Sequence, residues 1–305
     1  SAGYRVGGGA LAGKASEGLE KEAGIPPRTL ASWELGWRNG RDGVDDKTVF
    51  VLDEAGMVAS RQMALFVETA SKAGAKLVLV GDPEQLQPIE AGAGFRAVVE
   101  RIGYAELETI YRQREQWMRD ASLDLARGRT AQALSAYREH GRVLGSELKT
   151  QAIDSLIADW NRDYDPSKST LILAHLRRDV RALNDLARAR LVERGLVDEG
   201  YAFQTEDGKR HFAVGDQIVF LKNENSLGVK NGMIGKVVEA APGRLVAEID
   251  AGHGGAEDRR RVEVERRFYR NVDHGYATTV HKAQGATVDR VKVLATLSLD
   301  MHLTY

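Results

Sequence analysis

The chain has 305 residues, 43% of them hydrophobic and 29% charged, with a formal net charge of −1 and no cysteine. That length suits two compact units, and no apolar run reaches the ~18 residues of a membrane span or secretory core, so a soluble protein is expected. Lack of cysteine excludes disulfides and thiolate chemistry and fits a reducing cytoplasm, while the near-zero charge leaves nucleic-acid binding to local patches.

Gly8 to Ala15 reads GGALAGKA, the spacing of a phosphate-binding loop. Ala15 supplies no hydroxyl for magnesium, and the segment before Gly8 is barely long enough for the strand such a loop follows, so that reading is set aside. Thr48 to Leu52 (TVFVL) and Lys76 to Val80 (KLVLV) are β-branched apolar runs expected to be buried parallel strands. Between them Ser60 to Ala73 places Met63, Ala64, Phe66, Val67 and Ala70 at helical spacing, with Ser60 as the expected cap. Strand, helix, strand predicts a doubly wound α/β sheet.

Further on, Leu171 to Ala174 leads into a predicted helix over about Arg178 to Arg194, and Arg290 to Ala295 reads as another strand of the same unit. The texture changes between them. Phe212 to Leu221, Gly235 to Ala240, Arg244 to Ile249 and Arg261 to Val264 are short strand candidates separated by turn residues, which predicts a small antiparallel barrel or sandwich inserted into an α/β domain. Basic residues gather at Arg112, Arg114 and Arg119, at Arg177, Arg178 and Arg181, and at Arg259 through Arg261 with Arg266, Arg267 and Arg270. Each group by itself also reads as a solvated face.

The sharpest signal is a strand running straight into Asp53 and Glu54, because open parallel sheets bind ligands at their carboxyl edge. In a nucleotide motor the first carboxylate holds magnesium and the second orients or deprotonates the attacking water. GDPEQLQP at Gly81 to Pro88 follows the neighbouring strand and offers Asp82 and the Gln85 amide, which can sense a γ-phosphate. Either motif alone is also compatible with a polar surface turn.

VFVLDEAGM, LVLVGDPEQLQP, YRQ at Tyr111 to Gln113, and YATTVHKAQGATVDRV at Tyr276 to Val291 together resemble motifs II, III, IV and V of RecD-like superfamily 1 helicases. GALAGKASEGLE and RTLASWEL narrow the likeness to the helicase part of TraA-type conjugative relaxases, across essentially the whole chain. The resemblance implies two RecA-like parallel-sheet domains with an SH3-like all-β insertion. The expected bounds are 1–145 for the first domain, 146–199 with 270–305 for the second, and 200–269 for the insertion.

It also implies roles for residues. Asp53 would be the Mg2+ carboxylate, Glu54 the residue handling water, Gln85 the γ-phosphate sensor and Arg112 the cation reaching that phosphate. Asp82, Gln284 and Gly285 would line the ATP site, although Thr287 stands where many relatives carry Glu, which leaves ribose recognition open. Lys14, Thr29, Ser32, His175, Thr279, His281 and Lys282 would contact single-stranded DNA. Trp33, Trp37, Trp117 and Trp160 are expected in cores rather than stacked on bases.

The likeness implies 5′–3′ movement on DNA in conjugal plasmid transfer, with a relaxase domain and the conjugation machinery as partners in a bacterial cytoplasm. Gly8 to Ala15 becomes motif Ia, and the true phosphate loop is expected before Ser1 and motif VI beyond Tyr305, so these residues alone are expected not to hydrolyse ATP. Three alternatives stay open: a small phosphate-loop NTPase using Lys14, a RecD-like recombination subunit, and a non-catalytic single-strand-binding module. The histidines show no H-x-H or H-x3-H metal spacing that would mark a nicking site.

Overall fold

The computed structural model describes residues 3–11, 24–25, 28–82, 94–106, 113, 115–250, 259–283 and 288–296. The chain divides into two compact units, one within residues 1–143 and one within 144–299.

The first unit is built on a parallel sheet of β1 (Arg5–Gly9), β2 (Thr48–Leu52) and β3 (Lys76–Leu79), with β2 in the centre. Central placement follows from composition, since Phe50 and Leu52 are buried and form a core with Leu30, Met63, Phe66 and Phe95. Helix α1 (Leu30–Arg38) lies against β1 at Gly7 and Gly9. A Cβ on Gly9 would fall 2.9 Å from Leu30 Cδ2 and 3.1 Å from Trp33 Cδ1, and the Trp33 indole donates to the Gly8 carbonyl at 2.8 Å. The glycines that open the GGALAGKA run thus serve close helix–strand packing.

Helix α2 (Ser60–Ala73) has its predicted bounds and ends in a left-handed Gly74. Two details differ from expectation. Ala59, with extended backbone and no side-chain bond, holds the cap position, and Ser60 is the first helical residue. Of the predicted face, Met63, Phe66 and Ala70 are buried, while Ala64 and Val67 are exposed, because the buried stripe against one sheet is narrower than the apolar spacing. Helices α3 (Gly94–Ile102), α4 (Gln116–Ala126) and α5 (Thr130–Glu139) complete the unit.

The second unit contains a parallel sheet in which β4 (Thr170–Ala174) lies between β12 (Ala277–Thr279) and β13 (Arg290–Val293). Helices α6 (Lys149–Asp163) and α7 (Arg177–Glu193) pack on it, burying Ile157, Trp160, Leu183, Ala187 and Leu191 against Ile172 and Ala174. Among the tryptophans only Trp160 is fully buried; Trp33 and Trp37 are half-buried in an aromatic cluster with Phe50 and Phe66, and Trp117 stacks on His140 at 3.9 Å.

Between β4 and β12 the chain forms a hairpin of β5 (Tyr201–Thr205) and β6 (Gly208–Phe212). An antiparallel sheet follows, made of β7 (Gln217–Phe220), β8 (Ile234–Ala241), β9 (Arg244–Asp250), β10 (Arg259–Glu265) and β11 (Val272–His274) in the order β10-β9-β8-β7-β11. Phe203, Phe212, Ile218, Phe220, Leu245 and Val264 fill its core. The predicted run Phe212 to Leu221 is not one strand, because Gly215 at φ +93° turns the chain between β6 and β7. The β5–β6 hairpin and β11 escaped the sequence pattern: the first alternates with charged residues and the second has three residues. The fold is α/β, with RecA-like parallel sheets and an inserted all-β body.

Candidate functional site: a carboxylate turn and a cationic sheet edge

In the first unit, the sheet ladder runs to the last residue before the acidic pair: the Asp53 amide donates to the Gly9 carbonyl at 3.0 Å and the Val80 amide to the Leu52 carbonyl at 2.9 Å. The chain then turns sharply. Glu54 sits in the left-handed region at φ +52° and leads into a 3-10 turn over Ala55–Met57. An L-residue with a side chain pays for that conformation, of order 1–2 kcal/mol, so the turn must be held from outside.

Two contacts hold it. Asp53 Oδ1 accepts from the Glu54 amide at 2.9 Å, and the Ala55 amide donates to the Val80 carbonyl at 2.8 Å. The turn after β3 presses into the turn after β2: a Cβ on Gly81 would lie 2.8 Å from the Gly56 nitrogen, and a Cβ on Gly56 would overlap the Asp82 carbonyl. Asp53, Glu54 and Asp82 are all half-buried at this edge. The side-chain oxygens here are carboxylates, the ligand type that Mg2+ takes, although among the described residues no three such groups converge into a metal site; the Glu54 amide fixes the Asp53 carboxylate.

In the second unit β12 pairs with β4 in parallel register, Thr279 opposite Ala174, so His175 and the segment after Thr279 leave the sheet side by side. Thr279 Oγ1 accepts from the Lys282 amide at 3.4 Å, starting the short helix α8 (Val280–Ala283). Lys282 lies at the surface, yet desolvation of its ammonium, and then the Arg177 charge, lower its pKa; Asp207 and Asp273 act in the opposite sense. Among the described residues His175 Nδ1 is buried with no hydrogen-bond partner, and Arg177, Arg178, Arg181 and His281 are exposed.

Other predicted residues fare differently. Thr29 caps α1, accepting from the Ser32 amide at 3.2 Å, and Ser32 is exposed with its hydroxyl 3.4 Å from the Arg28 guanidinium. Lys14, Gln85, Arg112, Gln284 and Gly285 lie outside the described residues. The basic stripe on β10 is exposed but engaged by groups of its own sheet and loops: Arg259 and Arg261 face Glu248, Arg261 also faces Glu239, and Arg260 donates to the Leu227 and Gly228 carbonyls.

Sequence reasoning passed over the polar network that locks β12 to its surroundings. Tyr276 Oη donates to Asp216 Oδ1 at 2.6 Å, Arg188 Nε sits 3.1 Å from both Asp216 oxygens, and the Ala213 amide donates to Asp216 at 2.8 Å. Asn184 accepts from the Ala277 amide at 2.9 Å and donates to the Ala277 carbonyl at 3.1 Å. A signal existed: Asn184 shares the buried helical face of Leu183, Ala187 and Leu191, and a polar residue on such a face needs a partner.

Comparison with known proteins bears on family and fold. A family model described as an AAA domain matches residues 1–148. A probable conjugal transfer protein TraA of Sinorhizobium fredii is 75% identical over 305 residues, covering all of this chain and 27% of the relative. The ATP-dependent RecD2 DNA helicase of Deinococcus radiodurans is 26% identical over 290 residues, covering 94% of this chain and 38% of the relative. The chain therefore spans about a quarter of the length of the TraA relative. Among solved structures, the Pif1 helicase from Candida albicans shares the fold with a TM-score of 0.55 at 16% identity, covering 99% of this chain and 88% of the other. In its motif order and its two parallel sheets the chain is thus similar, over its whole length, to part of the TraA-type conjugal transfer proteins and to RecD-like superfamily 1 helicases.

Proposed function

We propose that the chain is the central part of an ATP-driven, 5′–3′ DNA translocase or helicase acting in conjugal plasmid transfer, working in the bacterial cytoplasm beside a relaxase domain and the conjugation machinery. The observation that carries this reading is the strained Glu54 beside Asp53 at the carboxyl edge of a parallel sheet, braced by the Gly81–Asp82 turn. Strain kept at a half-buried acidic pair is the mark of a positioned functional group. Nucleotide with Mg2+ supplies the phosphoanhydride whose cleavage drives movement.

In this reading Asp53 holds the ion or its water, and Glu54 takes a proton from the hydrolytic water. Gln85 senses the γ-phosphate, Arg112 complements its charge, and Asp82, Gln284 and Gly285 line the pocket. Lys14, Thr29, Ser32, His175, Thr279, His281 and Lys282 follow the phosphate backbone of a single strand. The only G-x4-G-K run in the sequence is followed by Ala15, so the 305 residues by themselves contain no phosphate loop with a magnesium-binding hydroxyl. They bind single-stranded DNA without hydrolysing ATP.

The test uses a protein carrying this region at the length of its TraA relatives. DNA-stimulated ATPase and displacement of a strand from 5′-tailed duplexes are measured for the parent and for Glu54→Gln. The expected result is loss of both activities in the variant with single-strand affinity kept. Full turnover in the variant, or a preference for 3′-tailed duplexes, overturns the assignment of Glu54 or the polarity respectively.

A further inference from the structure

Among the described residues strand β12 is the edge of its sheet, and because the Ile172 amide of β4 donates to the Tyr276 carbonyl, the backbone of Ala277 points away from β4. At an edge, the N–H and C=O of such a residue have no neighbouring strand and need another partner. Here one side chain meets both: the carboxamide of Asn184 accepts from the Ala277 amide at 2.9 Å and donates to the Ala277 carbonyl at 3.1 Å. Asn184 and Ala277 are both almost fully buried. A carboxamide is the side chain that reproduces the donor and acceptor pair of a peptide group.

The position of this clamp gives it a consequence. Asn184 lies seven residues into α7 from Arg177, about 10 Å along the helix axis at 1.5 Å per residue. Ala277 lies two residues before Thr279 and five before Lys282. The clamp therefore ties the segment bearing Lys282 to the helix bearing Arg177. These two cations oppose one another, since the Arg177 charge disfavours the charged form of Lys282.

We propose that Asn184 is a positioning residue for single-strand binding, fixing β12 to α7 so that Thr279 and Lys282 on one segment and Arg177 on the other form one phosphate-binding surface. This rests on the reading of that edge as a DNA-contacting face. Asn184 touches no DNA itself. Its neighbours serve the same joint: the Gln217 carboxamide donates to the Gly275 carbonyl at 2.7 Å, and Tyr276 is anchored on Asp216.

The experiment measures binding of fluorescein-labelled oligo(dT) to the 305-residue chain by fluorescence anisotropy across a salt series, for Asn184→Ala, Asn184→Asp, Lys282→Ala and the Asn184→Ala/Lys282→Ala double variant. Asn184→Ala is expected to weaken binding about tenfold and to reduce the slope of log K against log salt by about 0.7 for each phosphate no longer neutralised. Asn184→Asp keeps the acceptor for the Ala277 amide but opposes its carbonyl; it is expected to fold and to bind with intermediate affinity. In the Asn184→Ala background Lys282→Ala should cost clearly less than alone, because the two act through one surface.

A residue that only stabilises the fold would lower the melting temperature and leave the salt slope and the additivity unchanged, and that result overturns the proposal. If Asn184→Ala does not fold, Asn184→Asp decides by the same slope: an unchanged slope overturns the proposal and a reduced one supports it. Should Lys282→Ala itself leave binding unchanged, the DNA-face reading fails and the proposal with it. Weakening by Lys282→Ala but by neither Asn184 variant overturns the positioning role alone.

Discussion

A Cβ on Gly56 would overlap the backbone carbonyl of Asp82, so the turn that follows one strand of the first sheet can seat against the turn that follows its neighbour only because residue 56 has no side chain. The reverse contact, Gly81 against the Gly56 nitrogen, makes the two turns a single interlocked unit. The acidic pair and Asp82 are thereby referred to one another through backbone, which is stiffer than any side-chain contact.

Gly56→Ala should therefore destabilise the first unit by about 1–3 kcal/mol, the usual cost of forcing atoms into a filled site. Urea denaturation followed by tryptophan fluorescence reads the effect, since Trp33 and Trp37 pack on Phe50 beneath this edge. An unchanged midpoint would show that the turns separate easily.

Glu54→Gly brings two opposed backbone effects on stability. Removing the side chain relieves the left-handed conformation, worth about 1–2 kcal/mol, while the added freedom of glycine in the unfolded chain costs about 0.5–1 kcal/mol. The backbone terms nearly cancel, so the measured change in stability reports what the Glu54 side chain itself contributes, with hydrolysis lost in the longer protein. A clear drop in melting temperature would mean that the Glu54 side chain contributes to the fold.

Gly9→Ala should cost about 1–3 kcal/mol, because the new methyl meets Leu30 and Trp33. This checks the assignment of the glycine-rich run to packing. In the longer protein the same substitution is expected to leave nucleotide affinity close to the parent value. A large loss of nucleotide affinity without loss of stability would instead place Gly9 at a phosphate.

The pH dependence of the second unit should carry the mark of His274. Its Nε2 donates to the His211 carbonyl at 2.9 Å, which leaves Nδ1 of the neutral ring unprotonated, and that atom is buried with no partner among the described residues. Burial lowers its pKa, with the Arg188 charge acting the same way; the Asp216 and Asp273 charges and the bond to His211 oppose the shift. In the unfolded chain the same ring titrates near pH 6.5. Above that value the stability from the buried neutral ring is fully present; as pH falls through about 6.5 toward the folded-state pKa, the unfolded chain binds the extra proton and the contribution is lost. Urea midpoints compared at pH 7.5 and 5.5 should fall more for the parent than for His274→Gln, whose amide can still donate to His211. Equal slopes would mean the ring is protonated in the fold.

Asp216 is fully buried with Arg188 and Tyr276 directed at it. Asp216→Ala should cost about 3–5 kcal/mol by leaving a nearly buried guanidinium without its anion. Tyr276→Phe removes one neutral donor and is expected to cost about 1–3 kcal/mol. Thermal melts of both variants give the comparison, and similar costs would show that Arg188 finds another anion.

Much of this was legible in the residues themselves. The run TVFVL reads as a buried strand because a parallel sheet is covered on both faces, and its end in Asp53 and Glu54 points to the carboxyl edge where such sheets bind ligands; KLVLV, read the same way, forms a strand whose side chains are half-buried or exposed. The motifs and their order carried the family. Periodicity could not reveal β5, β6 and β11, whose short or charged sequences are strands only because Phe203, Phe212 and Val272 find a shared core.

What only the tertiary structure decided was every relationship between residues far apart in the chain. That Gly56 must make room for Asp82, that Trp33 needs Gly9, and that Asn184 completes the edge at Ala277 ninety-three residues away are all contacts between backbone and groups remote in sequence. Local pattern reports on burial, which is averaged over many neighbours and so survives in the sequence as periodicity. A hydrogen bond or a missing Cβ involves one partner at one distance, and that partner is chosen by the packing of whole elements.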